Sequence, residues 1–114
     1  MKTLIIINDP PYGTERLYNG LRLAHALIKH EGEVTAFLMG DAVSGAKRGQ
    51  KTPDGFYNVE RMIKRVVAKG HTLLCGTCLD ARGITDEELV DGCRRSTMDE
   101  LAEATAKADK VLVF

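Results

Sequence analysis

His71-Thr72-Leu73-Leu74-Cys75-Gly76-Thr77-Cys78-Leu79-Asp80-Ala81-Arg82-Gly83 is the segment on which the reading of this chain turns. The run from His71 to Leu74 predicts a short buried strand, and Cys75 falls where that strand ends. In an open α/β sheet the carboxyl ends of strands are where ligands and reactive groups gather. Two thiols, a glycine that admits close backbone approach, a carboxylate and a guanidinium stand together there. A Cys-x-x-Cys pair closes a reversible disulfide, supplies half of a zinc site, or carries a nucleophilic thiolate that its neighbour resolves. Structural zinc takes about four ligands, whereas Cys93 is distant and no histidine pair has suitable spacing, so no metal is expected. A thioredoxin-type motif opens a long helix, and Gly83-Ile84-Thr85 stops any helix here too soon. At a strand end Cys75 is expected to be reachable, with Arg82 a nearby cation able to stabilise a thiolate. Cys93 reads as a small buried hydrophobe.

Outward from that segment, strands and helices alternate. Thr3 to Ile7 is an unbroken apolar run of strand length, the pattern of a strand covered on both faces. Asn8-Asp9-Pro10-Pro11-Tyr12-Gly13 makes a turn, Thr14 is placed to cap a helix, and Leu17, Leu21, Ala24 and Ile28 give that helix an apolar face ending at Gly32. Glu33 to Met39 is the next strand, followed by Gly40-Asp41-Ala42-Val43 at its carboxyl end. Residues 44–57 read as an exposed, flexible loop carrying Gly45, Gly49, Pro53 and Gly55. Asn58 caps a helix with the stripe Val59, Met62, Ile63, Val66 and Val67, closed by Gly70. Thr85 with Glu88 and Thr97 with Glu100 are spaced as capping boxes, the first for a short helix ending near Asp91-Gly92, the second for Met98 to Ala108. Gly92-Cys93-Arg94-Arg95 fits either a brief strand or an irregular link, and Lys110 to Phe114 is a last strand. Such alternation implies right-handed crossovers and a mostly parallel sheet of four or five strands in one three-layer α/β/α domain spanning 1–114.

The 114 residues carry 16 basic and 16 acidic side chains, so no global basic field exists to hold nucleic acid. Lys47-Arg48 and Arg94-Arg95 read as solvated pairs. No run reaches the length of a membrane span, and Met1 to Ile7 is too short and β-branched for a signal peptide. Three cysteines without a secretion signal argue for a cytoplasmic setting. The first turn lacks the glycine pattern of dinucleotide folds and the Gly-Lys-Ser/Thr of phosphate loops, so no cofactor is expected. His25, His30 and His71 have no partner in sequence and read as structural.

Asn8-Asp9-Pro10-Pro11-Tyr12-Gly13, Phe37-Leu38-Met39-Gly40-Asp41-Ala42-Val43, Arg48-Gly49-Gln50-Lys51, Cys75 to Ile84, and Ala108 to Phe114 together resemble the DsrE/DsrF-like family, in its YchN-like branch. The resemblance runs end to end and implies an α/β/α fold, assembly as a homo-oligomer (a hexamer), and sulfur relay through a persulfide on a loop cysteine. That cysteine precedes the loop glycine by eight positions, which maps it onto Cys75 ahead of Gly83. Cys78 belongs to the branch pattern, which leaves its role open; by its chemistry a second thiol within reach of a persulfide acts as a resolving residue, closing a disulfide and expelling sulfide. Sulfur donor and acceptor proteins are the partners so implied. Two readings stand at this level: a sulfurtransferase-like carrier, or a non-catalytic oligomeric binding or redox-sensing module whose cysteines are structural or regulatory.

Overall fold

The computed structural model describes residues 1–53 and 56–114. Five strands, β1 (Lys2–Ile7), β2 (Glu33–Leu38), β3 (His71–Cys75), β4 (Cys93–Ser96) and β5 (Lys110–Val113), form one parallel sheet in the order β4-β3-β2-β1-β5. The helices are α1 (Arg16–Lys29), α2 (Val59–Lys69), α3 (Gly76–Ala81) and α4 (Met98–Lys107), with 3₁₀ segments at Gly40–Ala46 and Asp86–Glu88. From β1 to β4 the chain steps one way across the sheet, then returns past β1 to place β5. Right-handed crossovers therefore put α1, α2 and α3 on one face and α4 alone on the other. All strands end at the same edge, which gathers the loops after β1, β2 and β3.

Burial explains the elements. Leu4, Ile5, Ile7, Val34, Phe37, Leu38 and Leu74 are buried in the sheet, while Leu17, Leu21, Ala24, Val59, Ile63 and Val66 pack from α1 and α2. Each of these side chains other than Ala24 contributes about 1.5–3 kcal/mol by leaving water. Asn58 caps α2 as its sequence position predicts, its Oδ1 accepting the Arg61 N–H at 3.1 Å.

Several local expectations are corrected. Thr14 lies one residue outside the cap of α1, which is Glu15, and its hydroxyl donates to Asp9 at 3.0 Å. The left-handed residue after α1 is Glu31, φ 64°, and the Gly32 N–H closes on the Leu27 carbonyl. Thr97 accepts the Glu100 N–H at 3.1 Å, but the Glu100 carboxylate turns away to Arg94 and Ser96, leaving the box half made. The box at Thr85 forms but opens only the single turn Asp86–Glu88. Within the predicted 44–57 loop, Gly45 and Ala46 are buried, and Gln50 donates to the Gly45 and Lys47 carbonyls at 2.7 Å. The Glu60 carboxylate takes the Gly49 and Gln50 amides at 2.9 Å, so residues 44–50 are anchored rather than loose. Gly55 of that loop lies outside the described residues. Lys47-Arg48 is likewise not merely solvated, since Lys47 bridges to Leu89 and the Arg48 guanidinium donates to the Glu87 carbonyl.

Candidate functional site

Cys75 is both the last residue of β3 and the residue that turns the chain into α3 (φ −59°, ψ 115°). The turn is tight because Gly76 has no side chain: a Cβ there would stand 3.1 Å from Arg95 Cγ and 3.2 Å from the Ser96 carbonyl. One helical turn on, the Cys78 thiol donates to Cys75 Sγ at 2.7 Å, and Thr77 Oγ1 lies 3.3 Å from the same sulfur. Both cysteines are free thiols. On its far side Cys78 Sγ accepts the N–H of Gly40 at 3.2 Å. Gly40 takes a left-handed φ of 56°, which any residue with a Cβ adopts only under strain, and this conformation aims its amide at the sulfur.

The two thiols are driven apart electrostatically. Burial pushes the Cys75 pKa up, but hydrogen bonds from the Cys78 thiol, the Thr77 hydroxyl and the amides of both residues outweigh it, leaving it below the ordinary 9.0. For Cys78, burial and the bond it donates to Cys75 push the pKa up, with the Gly40 amide and Arg82 offsetting only part of that. Of the pair, Cys75 is therefore the thiol that ionises more readily and Cys78 the one that holds its proton longer.

Arg82 differs from its sequence reading. Its Nε and Nη2 grip Asp41 Oδ1 at 2.9 and 2.7 Å, and its Nη1 donates to the Cys78 carbonyl at 3.0 Å. It is a tether between the loops after β2 and β3, and its charge acts on Cys78. Cys75 is also less exposed than a strand end suggests, at 9%. It opens instead into a cavity of about 440 Å³ on the α4 side of the sheet, walled by Phe37, Thr77, Asp80, Arg95 and Met98. Arg95, which reads as surface in the sequence, is pinned in this wall, donating to the Gly76 carbonyl and Asp80 at 3.0 Å and to Asp86 at 3.1 Å. Its neighbour Arg94 is held by Glu100.

The Gly40–Asp41 turn joins the cysteine loop, as its place at the carboxyl end of β2 leads one to expect, whereas Thr77, Arg95, Phe37 and Met98 are site residues that sequence reasoning missed. Thr77 had a usable signal, being a hydroxyl between two thiols. Arg95 had none, because its place depends on β4 pairing beside β3. The turn after β1 abuts Gly40 through the Asn8 carbonyl, but its far end turns to α2: Tyr12 Oη contacts Gln50 and accepts the Val59 N–H at 3.2 Å. Among the described residues, no three His, Cys, Asp or Glu side chains stand together as metal ligands, and no helix is long and apolar enough to cross a membrane.

Comparison with known proteins matches residues 1–114 to the DsrE/DsrF-like family model. The protein YchN of Escherichia coli K12 is 46% identical over 116 residues, covering 99% of this chain and 98% of that one. Its crystal structure superposes with a TM-score of 0.94 over 100% of this chain and 99% of that one, at 44% identity. An uncharacterized protein of Methanocaldococcus jannaschii, MJ0989, is 35% identical across the full length of both chains. The sulfurtransferase TusD of Salmonella typhi is more distant, 27% identical across both full lengths. A strand-end cysteine loop on a five-stranded parallel sheet, matched from the first residue to the last, makes this chain a member of the DsrE/DsrF-like family.

Proposed function

We propose that this chain is a cytoplasmic sulfur-relay protein that carries sulfur as a persulfide on Cys75, with Cys78 as its resolving thiol. The observation that carries the reading is the pair itself: a thiolate-stabilised Cys75 facing a cavity, with the proton-bearing Cys78 sulfur 2.7 Å away. The distant likeness to a sulfurtransferase supports the class of chemistry. Loading is an attack of the Cys75 thiolate on the outer sulfur of a donor persulfide. The donor S–S bond breaks, the donor thiolate leaves, and Cys75 holds the sulfane sulfur. Delivery is the same exchange with an acceptor thiolate attacking that outer sulfur. If Cys78, once deprotonated, attacks the inner sulfur instead, a Cys75–Cys78 disulfide forms and hydrosulfide leaves; two thiols are oxidised and the sulfane sulfur is reduced.

The relay works as a homohexamer in this reading. Met98, 62% exposed, rims the cavity, and Val113, 66% exposed, stands on the edge strand β5; this exposed apolar surface suits a second copy. A monomeric mass in solution at micromolar concentration removes the assembly. The test of the relay is intact mass after incubation with a persulfide donor. We expect gain of one sulfur atom on the reduced protein, none on Cys75→Ser, and a longer-lived adduct on Cys78→Ser. An adduct on Cys78 in Cys75→Ser reverses the roles, and no adduct on any form ends the carrier reading. A module with structural cysteines predicts similar small stability losses in both variants and no sulfur uptake.

A further inference from the structure

The outer groove between α1 and α2 holds chemistry that the cysteine site does not use. Every other arginine in the described chain has an acceptor drawn from a distant part of the chain or from a carboxylate: Arg16 with Asp9, Arg48 with the Glu87 carbonyl, Arg82 with Asp41, Arg94 with Glu100, Arg95 with Asp80 and Asp86. Arg22, Arg61 and Arg65 have no carboxylate partner among the described residues, and all three line this one groove of about 410 Å³. Among the described residues Arg22 donates only to the Asn19 amide oxygen, and it stands 5.5 Å over the Tyr18 ring. On a chain with no net charge, three such cations on one wall are a local surplus that an anion relieves.

The groove also presents aromatic faces. Tyr18 and Tyr57 stack with centroids 4.1 Å apart, an arrangement reached through a left-handed backbone at Tyr57 (φ 60°). A non-glycine residue holds that conformation at a cost of about 1 kcal/mol or more. Phe56 beside them is 72% exposed. A neighbouring hollow of about 180 Å³ shares Arg22, Met62 and Arg65 with it and reaches His25, whose buried Nδ1 has no hydrogen-bond partner among the described residues.

We propose that this groove binds a phosphorylated ligand with a planar ring, a nucleotide in chemical class, its phosphate held by Arg22, Arg61 and Arg65 and its ring against the aromatic side chains. Guanidinium forks match phosphate oxygens, and stacking suits a base. The site is independent of the sulfur-relay reading.

The test titrates the whole protein with AMP, adenosine, inorganic phosphate and a short single-stranded oligoadenylate, followed by calorimetry and by NMR shifts of Tyr18 and Tyr57. AMP is expected to saturate, to outbind both adenosine and phosphate, and to weaken with added salt. Arg61→Gln/Arg65→Gln is expected to lower its affinity roughly tenfold or more. Should the double variant melt early, Arg22→Gln alone carries the comparison. Binding of the oligonucleotide but not AMP upholds the chemistry and assigns the source to a strand. Phosphate binding as tightly as AMP overturns the ring half of the site. No saturation by AMP or oligonucleotide at millimolar concentration, or affinity unchanged in the arginine variants, overturns the proposal.

Discussion

Cys75 and Cys93 sit on adjacent strands of one sheet, at opposite ends, and the sheet treats their thiols in opposite ways. Both lose water on folding. At Cys93, near the amino end of β4, burial is the sole influence and pushes the pKa up to about 12. At Cys75 burial is the largest single influence too, yet the donors of Thr77 and Cys78 overturn it. The amino end of a strand in this fold offers a thiol only packing, whereas the carboxyl end feeds straight into the first amides of a helix. Reactivity here follows the local supply of donors, and exposure alone is a poor guide to it.

The largest expected consequence is in labelling. At pH 8 a thiol of pKa about 12 is ionised to about one part in 10⁴, and the thiolate is the reacting form. A thiol below 9.0 is ionised to about a tenth or more, about a thousandfold excess of thiolate. The weaker nucleophilicity of the less basic sulfur offsets part of it, so Cys75 should alkylate roughly a hundredfold faster than Cys93, read by peptide mapping after limited treatment with a small alkylating agent. Labelling of Cys93 first would break the comparison and return the decision to exposure.

Next in size is the alkaline limit of stability. The folded pKa of Cys93 is raised, so its contribution is fully present below the unfolded value of 9.0 and is lost as pH rises towards about 12. The upper bound of that loss is about 4 kcal/mol, reduced by the partial exposure of the residue. Denaturant unfolding between pH 8 and 11 should show it, and Cys93→Ala should flatten the profile. For Cys75 the sign is reversed: a depressed folded pKa gives stability present above 9.0 and lost as pH falls through the folded value.

Thr77→Val sharpens the same contrast on the other side. It keeps the volume and removes the hydroxyl 3.3 Å from Cys75 Sγ. We expect the Cys75 pKa to rise and its alkylation at neutral pH to slow by about two- to tenfold. An unchanged rate would mean that the backbone amides and Cys78 suffice. Asp41→Asn should have the smallest effect, since the Asp41–Arg82 pair is partly exposed at 63% and 33%. Its loss should cost under about 1 kcal/mol in denaturant unfolding. A cost well above that would make the tether an organiser of the cysteine loop.

Much of the fold was legible because burial leaves a period in the sequence. The Ile-rich β1, the stripe of α2 and the Asn58 cap follow from local pattern and local hydrogen bonds. β4 did not, because Cys93-Arg94-Arg95-Ser96 has no apolar signature, and only its pairing with β3 makes it a strand. The single-turn outcome at Thr85 shows the limit of a capping signal: the box formed, but no apolar face followed to extend a helix from it.

The chain by itself determined that Cys75 stands at a strand end, that Cys78 lies one turn further along, and that the segment closes at Gly83, because these depend on neighbours in sequence. Which sulfur keeps the proton, and what Arg82 holds, were decided only by the tertiary structure. The Gly40 amide on Cys78 spans 38 positions and the Asp41–Arg82 bond spans 41. Those groups meet because β2 lies next to β3, and strand order is a global outcome of packing that no local pattern encodes.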